Sequence, residues 1–323
     1  MKTGTSAIQK FVQNNLQYLK SKNLFYSETN IKAQNYLAFS LMNEVPSYVQ
    51  QVLPEKAERL YGKLIDEIIK SKQDRILIST EIYSLISCDH FLGYEVPKRL
   101  FEFFKGYGFN FKIILFLRRQ DEFLLSMYNQ IIKRHNFNNL YSNDIMSYYE
   151  DNQEIFDYEY LINKWSNVFG LENMIIKPFN KKDSIVDSFF KIFNIDTSKC
   201  IDNIGVNNKS LGSKSIEFMR LANQFNINKH DGGANNTLIN LIRDAISIEG
   251  ELELEIKDSS LILSKYNKLN TNISNTFFKG DTSWFNYQDT SIINENKNLK
   301  LEIDDVVSIA VNIWNYFQKN NNA

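Results

Sequence analysis

The sequence predicts an α/β protein in which a parallel β-sheet lies between layers of helices. Three apolar runs of strand length carry this prediction, at residues 75–80, 111–117 and 173–177. Long stretches with helical spacing of apolar residues separate these runs, which is the pattern of parallel strands joined by helical crossovers and buried on both faces. With 323 residues, of which 43% are hydrophobic, the chain is long and apolar enough to bury such a core.

The first helix is predicted near the N-terminus, where Ile8, Phe11, Val12, Leu16 and Leu19 follow one another at spacings of three and four residues. The same spacing predicts helices over residues 57–70, 119–134, 158–169, 184–193, 213–225, 260–278 and 303–317. Residues 251–256 alternate glutamate with leucine or isoleucine. This segment fits either a short strand or a charged surface segment.

Charge and cysteine content argue against several classes of protein. The formal net charge of -1 gives no reason to expect nucleic acid or an anionic membrane as the main partner. The two cysteines, Cys88 and Cys200, make no disulfide framework and lack metal-ligand spacing. The chain has no apolar run of about eighteen residues and no basic-then-apolar leader pattern, so we expect a soluble cytoplasmic protein without membrane insertion.

A short polar loop precedes the first helix. Lys2, Thr3, Gly4, Thr5 and Ser6 stand directly before the amphipathic pattern. Glycine lets the backbone approach an anion closely, and the free N–H groups of a helix start carry the positive end of the helix dipole. Lys2 adds a mobile positive charge beside them. The loop therefore predicts a phosphate site, although a basic N-terminus before an ordinary helix cap is the open alternative.

A second candidate anion site follows the central apolar run. Arg118 stands where the predicted strand 111–117 ends, and Ser126 lies eight residues later, about two turns into the next helix. A guanidinium fork and a hydroxyl in this arrangement are able to converge on one phosphate. Taken singly, each residue also fits an ordinary role, Arg118 as a solvated strand end and Ser126 on a polar helix face.

Together the segments KTGTS and RRQDEFLLS resemble motifs of the nucleotide-dependent sulfotransferase family, most closely its stand-alone bacterial branch. Residues 165–179 (WSNVFGLENMIIKPF) and 208–212 (NKSLG) are also similar to segments of that branch. The resemblance extends from residue 2 to about residue 278. It implies a single domain over residues 1–323 with a three-layer, P-loop-type parallel sheet, and a C-terminal helical extension at about 290–319.

The resemblance also implies a donor and its binding residues. The donor is 3′-phosphoadenylyl sulfate (PAPS), the product is 3′-phosphoadenosine 5′-phosphate (PAP), and no metal is required. Residues 2–6 are expected to bind the 5′-phosphosulfate, with Lys2 also acting on the leaving phosphate during catalysis. Arg118 and Ser126 are expected to bind the 3′-phosphate, and Lys209 and Ser210 are weaker candidates for the same donor site.

Glu81 is the first candidate for the catalytic base. It follows the apolar run 75–80 in the segment Ser79-Thr80-Glu81, where the bacterial branch often has Ser-Ser-Glu. The alternative is that Glu81 caps the following helix or pairs with a lysine. Family members often carry histidines where this chain has Gln34 and Asn35, and neither amide is able to act as a base near neutral pH.

Lys133, Arg134 and His135 form a small basic cluster that is a candidate binding surface for the acceptor. Bacterial relatives act mainly on glycans, lipid-linked sugars and small metabolites, so the resemblance implies a glycan or small-molecule acceptor. An ordinary solvated helix face is the alternative for the cluster. His135 is in addition a second candidate for the base.

One departure from the family concerns the start of the sheet. Members begin with an apolar strand that leads into the phosphate loop, whereas this sequence has Met1 directly at the loop. A missing central strand would expose backbone N–H and C=O groups of its neighbours, so we expect an upstream segment to supply it.

Two other functions stay open. The first is a catalytically silent homologue that binds nucleotide or glycan, because the strand and the histidines are missing. The second is a P-loop kinase, although the loop lacks GxxxxGK[ST] and its lysine precedes the glycine.

Overall fold

The computed structural model describes residues 3–27, 34–42, 53, 55–86, 95–133, 142–201, 210–225, 236–286 and 300–321. It is mostly helical (62%) with a few short parallel strands, so the protein is broadly α/β. The chain divides into two compact units. Unit 1 comprises Met1–Arg119, Asn152–Val206 and Tyr266–Asn286, and unit 2 comprises Gln120–Asp151, Asn207–Lys265 and Tyr287–Ala323. The single domain predicted over 1–323 stays a prediction.

The helices and strands are numbered in chain order. The helices are α1 Thr5–Asn14, α2 Leu16–Ser21, α3 Gln34–Phe39, α4 Ala57–Ser71, α5 Ile82–Ile86, α6 Val96–Phe104, α7 Gln120–Lys133, α8 Ile145–Asp151, α9 Tyr158–Phe169, α10 Ile185–Lys191, α11 Ser213–Gln224, α12 Asn236–Ala245, α13 Ile256–Phe277 and α14 Ile303–Asn321. Short 3₁₀ turns at Gln153–Phe156 and Leu171–Asn173 flank α9. The strands are β1 Leu24–Phe25, β2 Arg75–Ile76, β3 Ile113–Leu117 and β4 Met174–Pro178.

The strands of unit 1 form two parallel pairs. In one pair, β1 lies beside β2, with Leu24 opposite Arg75. In the other, β3 lies beside β4, with Ile113 opposite Met174. Among the described residues each sheet therefore has two strands. Parallel strands are confirmed, whereas the single three-layer P-loop-type sheet stays a prediction.

The apolar run at residues 75–80 forms less strand than its composition predicts. The Leu77 N–H still donates to the Phe25 carbonyl at 2.9 Å, as in a parallel ladder. Two residues later, however, the Ser79 N–H donates to the Gln34 side-chain oxygen at 2.6 Å. A side chain thus replaces the neighbouring strand as the partner, and regular pairing ends.

The N-terminal helix is interrupted at Asn15, where the spacing of apolar residues predicts a continuous helix. The Asn15 side chain donates to the carbonyls of Phe11 (2.9 Å) and Ile201 (3.1 Å) and accepts from the Ile201 N–H at 2.8 Å. These bonds fix the interruption of the helix between α1 and α2. They also tie it to the residues that follow α10.

Helices cover both faces of the strands in unit 1. On one face, α1 packs against α10, with the rings of Phe11 and Phe190 4.9 Å apart. Leu77 and Phe116 join this buried cluster from the strands. On the other face, α6 packs against α9 through Phe101 and Phe169, whose ring centroids are 5.8 Å apart.

Unit 2 is helical, with α7 packed against α11 and α8, and α12 packed against α14. The first turn of α11 is bonded by Glu249, whose carboxylate accepts from the N–H groups of Lys214 (2.9 Å) and Ser215 (3.2 Å). The Lys214 ammonium lies 2.8 Å from the Asp305 carboxylate of α14, with both side chains 12% exposed. Within the described helices, none is long and apolar enough to cross a membrane.

Candidate functional site

The loop before α1 has the backbone geometry that its glycine predicts. Gly4 has φ 89° and ψ 22°, a left-handed conformation that side chains disfavour. Its carbonyl accepts the N–H groups of Ala7 (2.9 Å) and Ile8 (3.2 Å), which begins the helix. A Cβ atom at Gly4 would lie 2.8 Å from the Ile185 side chain of α10. Glycine is therefore required twice, by φ and by the close approach of Ile185.

The first turn of α1 is open to an anion. Its N-cap residue offers no side-chain hydrogen bond, and its first turn contains no acidic residue. Thr3 is buried, Thr5 is half-buried and Ser6 is exposed. The uncapped N–H groups and the helix dipole favour negative charge at this position.

This helix start lies at the carboxyl end of β2. The Gln9 side chain in α1 donates to the Ser79 carbonyl at 2.5 Å. Thr3, Thr5 and Glu81 line one cavity of about 750 Å³. The structure therefore brings together the predicted phosphate loop and the predicted base, both within unit 1.

Glu81 is half-buried, and its neighbour Thr80 has the capping role that was the alternative for Glu81. The Ile82 N–H of α5 donates to the Thr80 hydroxyl at 3.1 Å. The Glu81 backbone carbonyl accepts from the Ser84 hydroxyl at 2.8 Å. In the part of the chain that the structure describes, the Glu81 carboxylate has no salt bridge with a lysine. Glu81 is one of the residues that line the cavity.

Gln34 and Asn35 hold the segment that presents Glu81. Gln34 is 2% exposed, and its side-chain oxygen accepts from the Ser79 N–H. The Asn35 side-chain oxygen accepts a short bond from the Thr80 hydroxyl. The sequence pattern gives no sign of these contacts. Hydrogen bonds over 45 residues of separation leave no local pattern to find.

Arg118 directly follows β3, as predicted. Its carbonyl accepts from the Tyr158 hydroxyl at 2.5 Å, and its guanidinium lies 5.5 Å from the centroid of the Phe179 ring. Arg118 belongs to unit 1, whereas Ser126 lies in α7 of unit 2 and is half-buried. The convergence of Arg118 and Ser126 on one phosphate stays a prediction.

The remaining predicted residues are placed as follows. Lys133 is the half-buried last residue of α7, and Ser210 is exposed in the segment before α11. Lys2, Lys209 and His135 lie outside the described residues. Because the Glu249 carboxylate already accepts from the first N–H groups of α11, a phosphate near Ser210 would have to be bound by side chains.

The cavity beside Glu81 has a largely apolar wall, where a buried tyrosine, Tyr61, bonds to a half-buried one, Tyr83. The hydroxyls of Tyr61 and Tyr83 lie 2.7 Å apart, and the Tyr83 ring packs edge-on against Trp165 at 5.9 Å. Burial raises the pKa of both phenols far above the ordinary value, so both stay neutral and polar near neutral pH. Tyr83 and Trp165 both line the cavity.

In unit 1 the structure therefore brings together the uncapped start of α1, Glu81 and an apolar cavity. Arg118 lies in the same unit, at the carboxyl end of β3. Over the described ranges, no group of His, Cys, Asp and Glu side chains is arranged to hold a metal ion. In comparisons with family models, curated proteins and solved structures, the chain matches none of them.

Proposed function

We propose that the protein transfers a sulfuryl group from PAPS to a hydroxyl of a glycan or small-molecule acceptor. One observation carries the proposal. Thr3 and Thr5, on either side of Gly4 at the uncapped start of α1, line the same cavity as Glu81. An anion site beside a carboxylate is what a transfer reaction needs if a phosphate leaves as a hydroxyl is deprotonated.

The proposed reaction needs few groups. The acceptor oxygen attacks the sulfur of PAPS, the bond from sulfur to the phosphate oxygen breaks, and the acceptor proton passes to Glu81. PAP then leaves with the phosphate charge. The N–H groups at the start of α1 stabilise that charge, together with Lys2 and the hydroxyls of Thr3, Thr5 and Ser6. Because the sulfuryl group itself gains little charge, no metal is required.

The remaining candidate residues keep the roles that the resemblance implies. Arg118 and Ser126 are proposed to bind the 3′-phosphate, with Lys209 and Ser210 as weaker contacts. Lys133 and His135 are proposed to contact the acceptor. The reaction would take place in the cytoplasm. Support for Arg118 comes from its position, because a guanidinium at a strand's carboxyl end lies at the edge where parallel sheets bind ligands.

Calorimetric titration of PAP and of AMP tests the proposal, since the two nucleotides differ in the 3′-phosphate. We expect PAP to bind more tightly than AMP. Arg118→Lys keeps the charge but removes the two-pronged hydrogen bond, and should weaken PAP binding by about tenfold or more without changing AMP binding. Arg59→Lys, at an exposed position of α4, is the matched control and should change neither. Equal affinities for PAP and AMP in the unmodified protein would contradict the proposal.

The silent homologue is the second candidate, and Gln34 and Asn35 favour it. The side-chain oxygen of each amide accepts from Ser79 or Thr80, and an amide is unable to act as a base, so neither supplies a second catalytic base. Incubation with PAPS labelled in the sulfuryl group separates the two candidates. Label transferred to a glycan or phenolic acceptor indicates the enzyme, and PAP binding without transfer indicates the silent homologue. ATP that competes with PAP would instead indicate the kinase.

A further inference from the structure

Helix α14 packs against α12 by one face, and three contacts fix which face that is. Ile309 is fully buried, and the Asn312 side chain donates to the Leu241 carbonyl of α12 at 2.8 Å. The Asp305 carboxylate accepts from the Lys214 ammonium at 3.0 Å. Positions 305, 309 and 312 follow one another at spacings of four and three, so they lie on one side of the helix. The rotation of α14 about its own axis is therefore fixed.

An exposed apolar stripe, here called the α14 stripe, runs along a different side of this helix. Its residues follow one another at alternating spacings of four and three, the heptad pattern of helices that pair with other helices. Trp314 is 65% exposed and Ile303 is 74% exposed. Turning the helix to bury them would break the contacts of Asp305 and Asn312. The α14 stripe consists of Ile303, Val307, Ala310, Trp314 and Phe317, all exposed, with Val311 beside them.

The size of the α14 stripe is that of an interaction surface. At the exposures that its side chains have, it presents on the order of 600 Å² of apolar surface. Monomeric proteins rarely expose a contiguous apolar patch of more than a few hundred Å². Two such surfaces in contact would bury about 1,200 Å² in total, which is the lower limit for specific protein interfaces. This area fits a dimer whose dissociation constant is in the micromolar range.

The charges of α14 lie at its ends and differ in sign. Residues 306–318 include no aspartate, glutamate, lysine, arginine or histidine. Glu302 and Asp304 are exposed at the amino end, and Lys319 is exposed at the carboxyl end. A second copy in the antiparallel orientation would place its Lys319 beside this acidic end, whereas a parallel copy would place acid beside acid. An anionic membrane fits less well, because helices that lie on such surfaces carry lysine and arginine along their polar face.

The side chains of the α14 stripe are also complementary to one another in the antiparallel orientation. With a two-fold axis at Ala310, Ile303 of one copy would lie opposite Phe317 of the other, and Val307 would lie beside Trp314. Each aromatic ring would thus contact a smaller aliphatic side chain, whereas a parallel pair would place Trp314 against Trp314. The small side chain at the axis lets the two helices approach closely.

We infer that the α14 stripe is the contact surface of a homodimer, in which two copies of this chain pair through antiparallel α14 helices. The partner is a second copy because size and charge are complementary within this one helix, so the same surface serves both chains. A two-fold interface of this kind occupies the stripe on both copies and closes at the dimer. Dimerisation through α14 does not require the proposed sulfuryl transfer, since α14 belongs to unit 2 and Glu81 to unit 1.

Sedimentation equilibrium of the 323-residue chain between about 1 and about 100 µM tests the association. We expect a monomer–dimer equilibrium. Ala310→Glu places two like charges at the axis and should raise the dissociation constant of the dimer by about tenfold or more. Asn315→Glu adds the same charge on the polar side of the same helix and is the matched control, which should leave the association unchanged. If Ala310→Glu lowers the helix content measured by circular dichroism, Trp314→Ser takes its place.

Disulfide cross-linking tests the orientation of the two helices. An antiparallel pair brings position 303 of one copy to position 317 of the other, so a mixture of Ile303→Cys and Phe317→Cys chains should form linked dimers under mild oxidation. Each of these variants alone should link no more than the unmodified chain, which has Cys88 and Cys200. Ala310→Cys alone should link to itself, because position 310 lies at the axis.

A chain that stays monomeric over the whole concentration range would overturn the inference. So would a dimer that neither Ala310→Glu nor Trp314→Ser weakens, since the contact would then lie elsewhere. Stronger self-linking of Ile303→Cys than of the mixture would indicate a parallel pair and also overturn it. If the monomeric chain binds vesicles of phosphatidylcholine and phosphatidylserine, and Trp314→Ser abolishes this binding, a membrane covers the α14 stripe and the homodimer is contradicted.

Discussion

At the scale of single residues, Gly4 is the position where the backbone conformation most restricts which residue is tolerated. Replacement by alanine places a Cβ atom on a backbone with φ 89° and against Ile185 at 2.8 Å. We expect Gly4→Ala to lower the free energy of unfolding by about 1–2 kcal/mol and to weaken PAP binding. Urea unfolding and calorimetry measure the two effects.

Gly62 provides the matched control for Gly4. It lies in the middle of α4, exposed, with no atom within 4 Å of an added Cβ. Gly62→Ala should raise the free energy of unfolding by about 0.5–1 kcal/mol and leave PAP binding unchanged. The same result for Gly4→Ala would mean that the loop before α1 has no special role.

Glu81 is the residue on which turnover should depend most. Glu81→Gln keeps the shape of the side chain but removes its ability to accept a proton. We expect turnover to fall by about a hundredfold or more, while PAP binding stays nearly unchanged. Steady-state kinetics and calorimetry measure this, with the exposed Glu58→Gln of α4 as control. Near-normal turnover in Glu81→Gln, together with its loss in His135→Ala, would move the base to His135.

At the scale of helices and strands, sequence patterns predict where an element begins and ends better than they predict which residues it contacts. Helix α9 has the predicted bounds, and the bounds of α4 and α7 differ from the predicted ones by one residue at an end. These helices were predictable because the spacing of apolar residues within each segment is enough to indicate a helix. Short elements such as β1 and α3 escaped prediction. Two or six residues carry little periodicity, and their conformation comes from distant contacts such as that of Gln34 with Ser79.

In the candidate site too, some features were predictable from the sequence and others were not. Gly4 and Arg118 were predictable because each stands at an element boundary that the pattern of apolar residues marks. The interruption of the N-terminal helix at Asn15 was not, since Ile201, its partner, lies 186 residues away. Likewise, no spacing rule indicates that Glu249 bonds the first turn of α11, a contact that requires the folded chain.

The ion pair of Lys214 and Asp305 joins α11 to α14. Burial by itself would raise the pKa of Asp305, but hydrogen bonds from Lys214 and from the Glu302 N–H outweigh it, so the pKa is lowered. A carboxylate with a lowered pKa stabilises the fold above its unfolded pKa of 3.8, and this contribution is lost as the pH falls through the folded value. The link between these helices should therefore weaken in acid.

Lys214→Met tests this link. We expect it to lower the free energy of unfolding by about 1–3 kcal/mol at neutral pH, because the mostly buried Asp305 carboxylate is left without its positively charged partner. The double variant Lys214→Met with Asp305→Leu should recover most of the loss, since it leaves no charge behind. Urea unfolding at pH 7 and pH 3 measures both. A single variant that is as stable as the unmodified protein would show that the pair contributes little.

At the scale of the whole molecule, the two units should respond differently to ligand and to mutation. Gly4, Glu81 and Arg118 all belong to unit 1, whereas Lys214 and Asp305 belong to unit 2. PAP at a hundred times its dissociation constant should stabilise the protein by about 2.7 kcal/mol. Most of this should fall on unit 1, although Ser126 and Ser210, which are also proposed to contact PAP, belong to unit 2. Lys214→Met should lower the stability of unit 2.

Differential scanning calorimetry with and without PAP separates these effects. We expect the transition that PAP raises most to differ from the one that Lys214→Met lowers. If both changes move one common transition, the units unfold together, as a single domain over residues 1–323 predicts. If PAP moves the transition that Lys214→Met lowers and leaves another unchanged, the donor site has been assigned to the wrong unit.

Among the α-helices that the structure describes, α1 follows Gly4 and α11 follows Gly212, and the two helix starts differ in their ability to bind an anion. At α11 the Glu249 carboxylate already accepts from the first N–H groups of the helix. It is able to come this close because residue 212 is glycine, since a Cβ atom there would lie 2.2 Å from the Glu249 side chain. Of these two helix starts, we therefore expect an added oxyanion to bind at α1 and not at α11. Removing the carboxylate charge in Glu249→Gln should open a second sulfate site at the start of α11, which calorimetric titration would detect. This site should be the weaker of the two, because the glutamine oxygen still accepts from the same N–H groups.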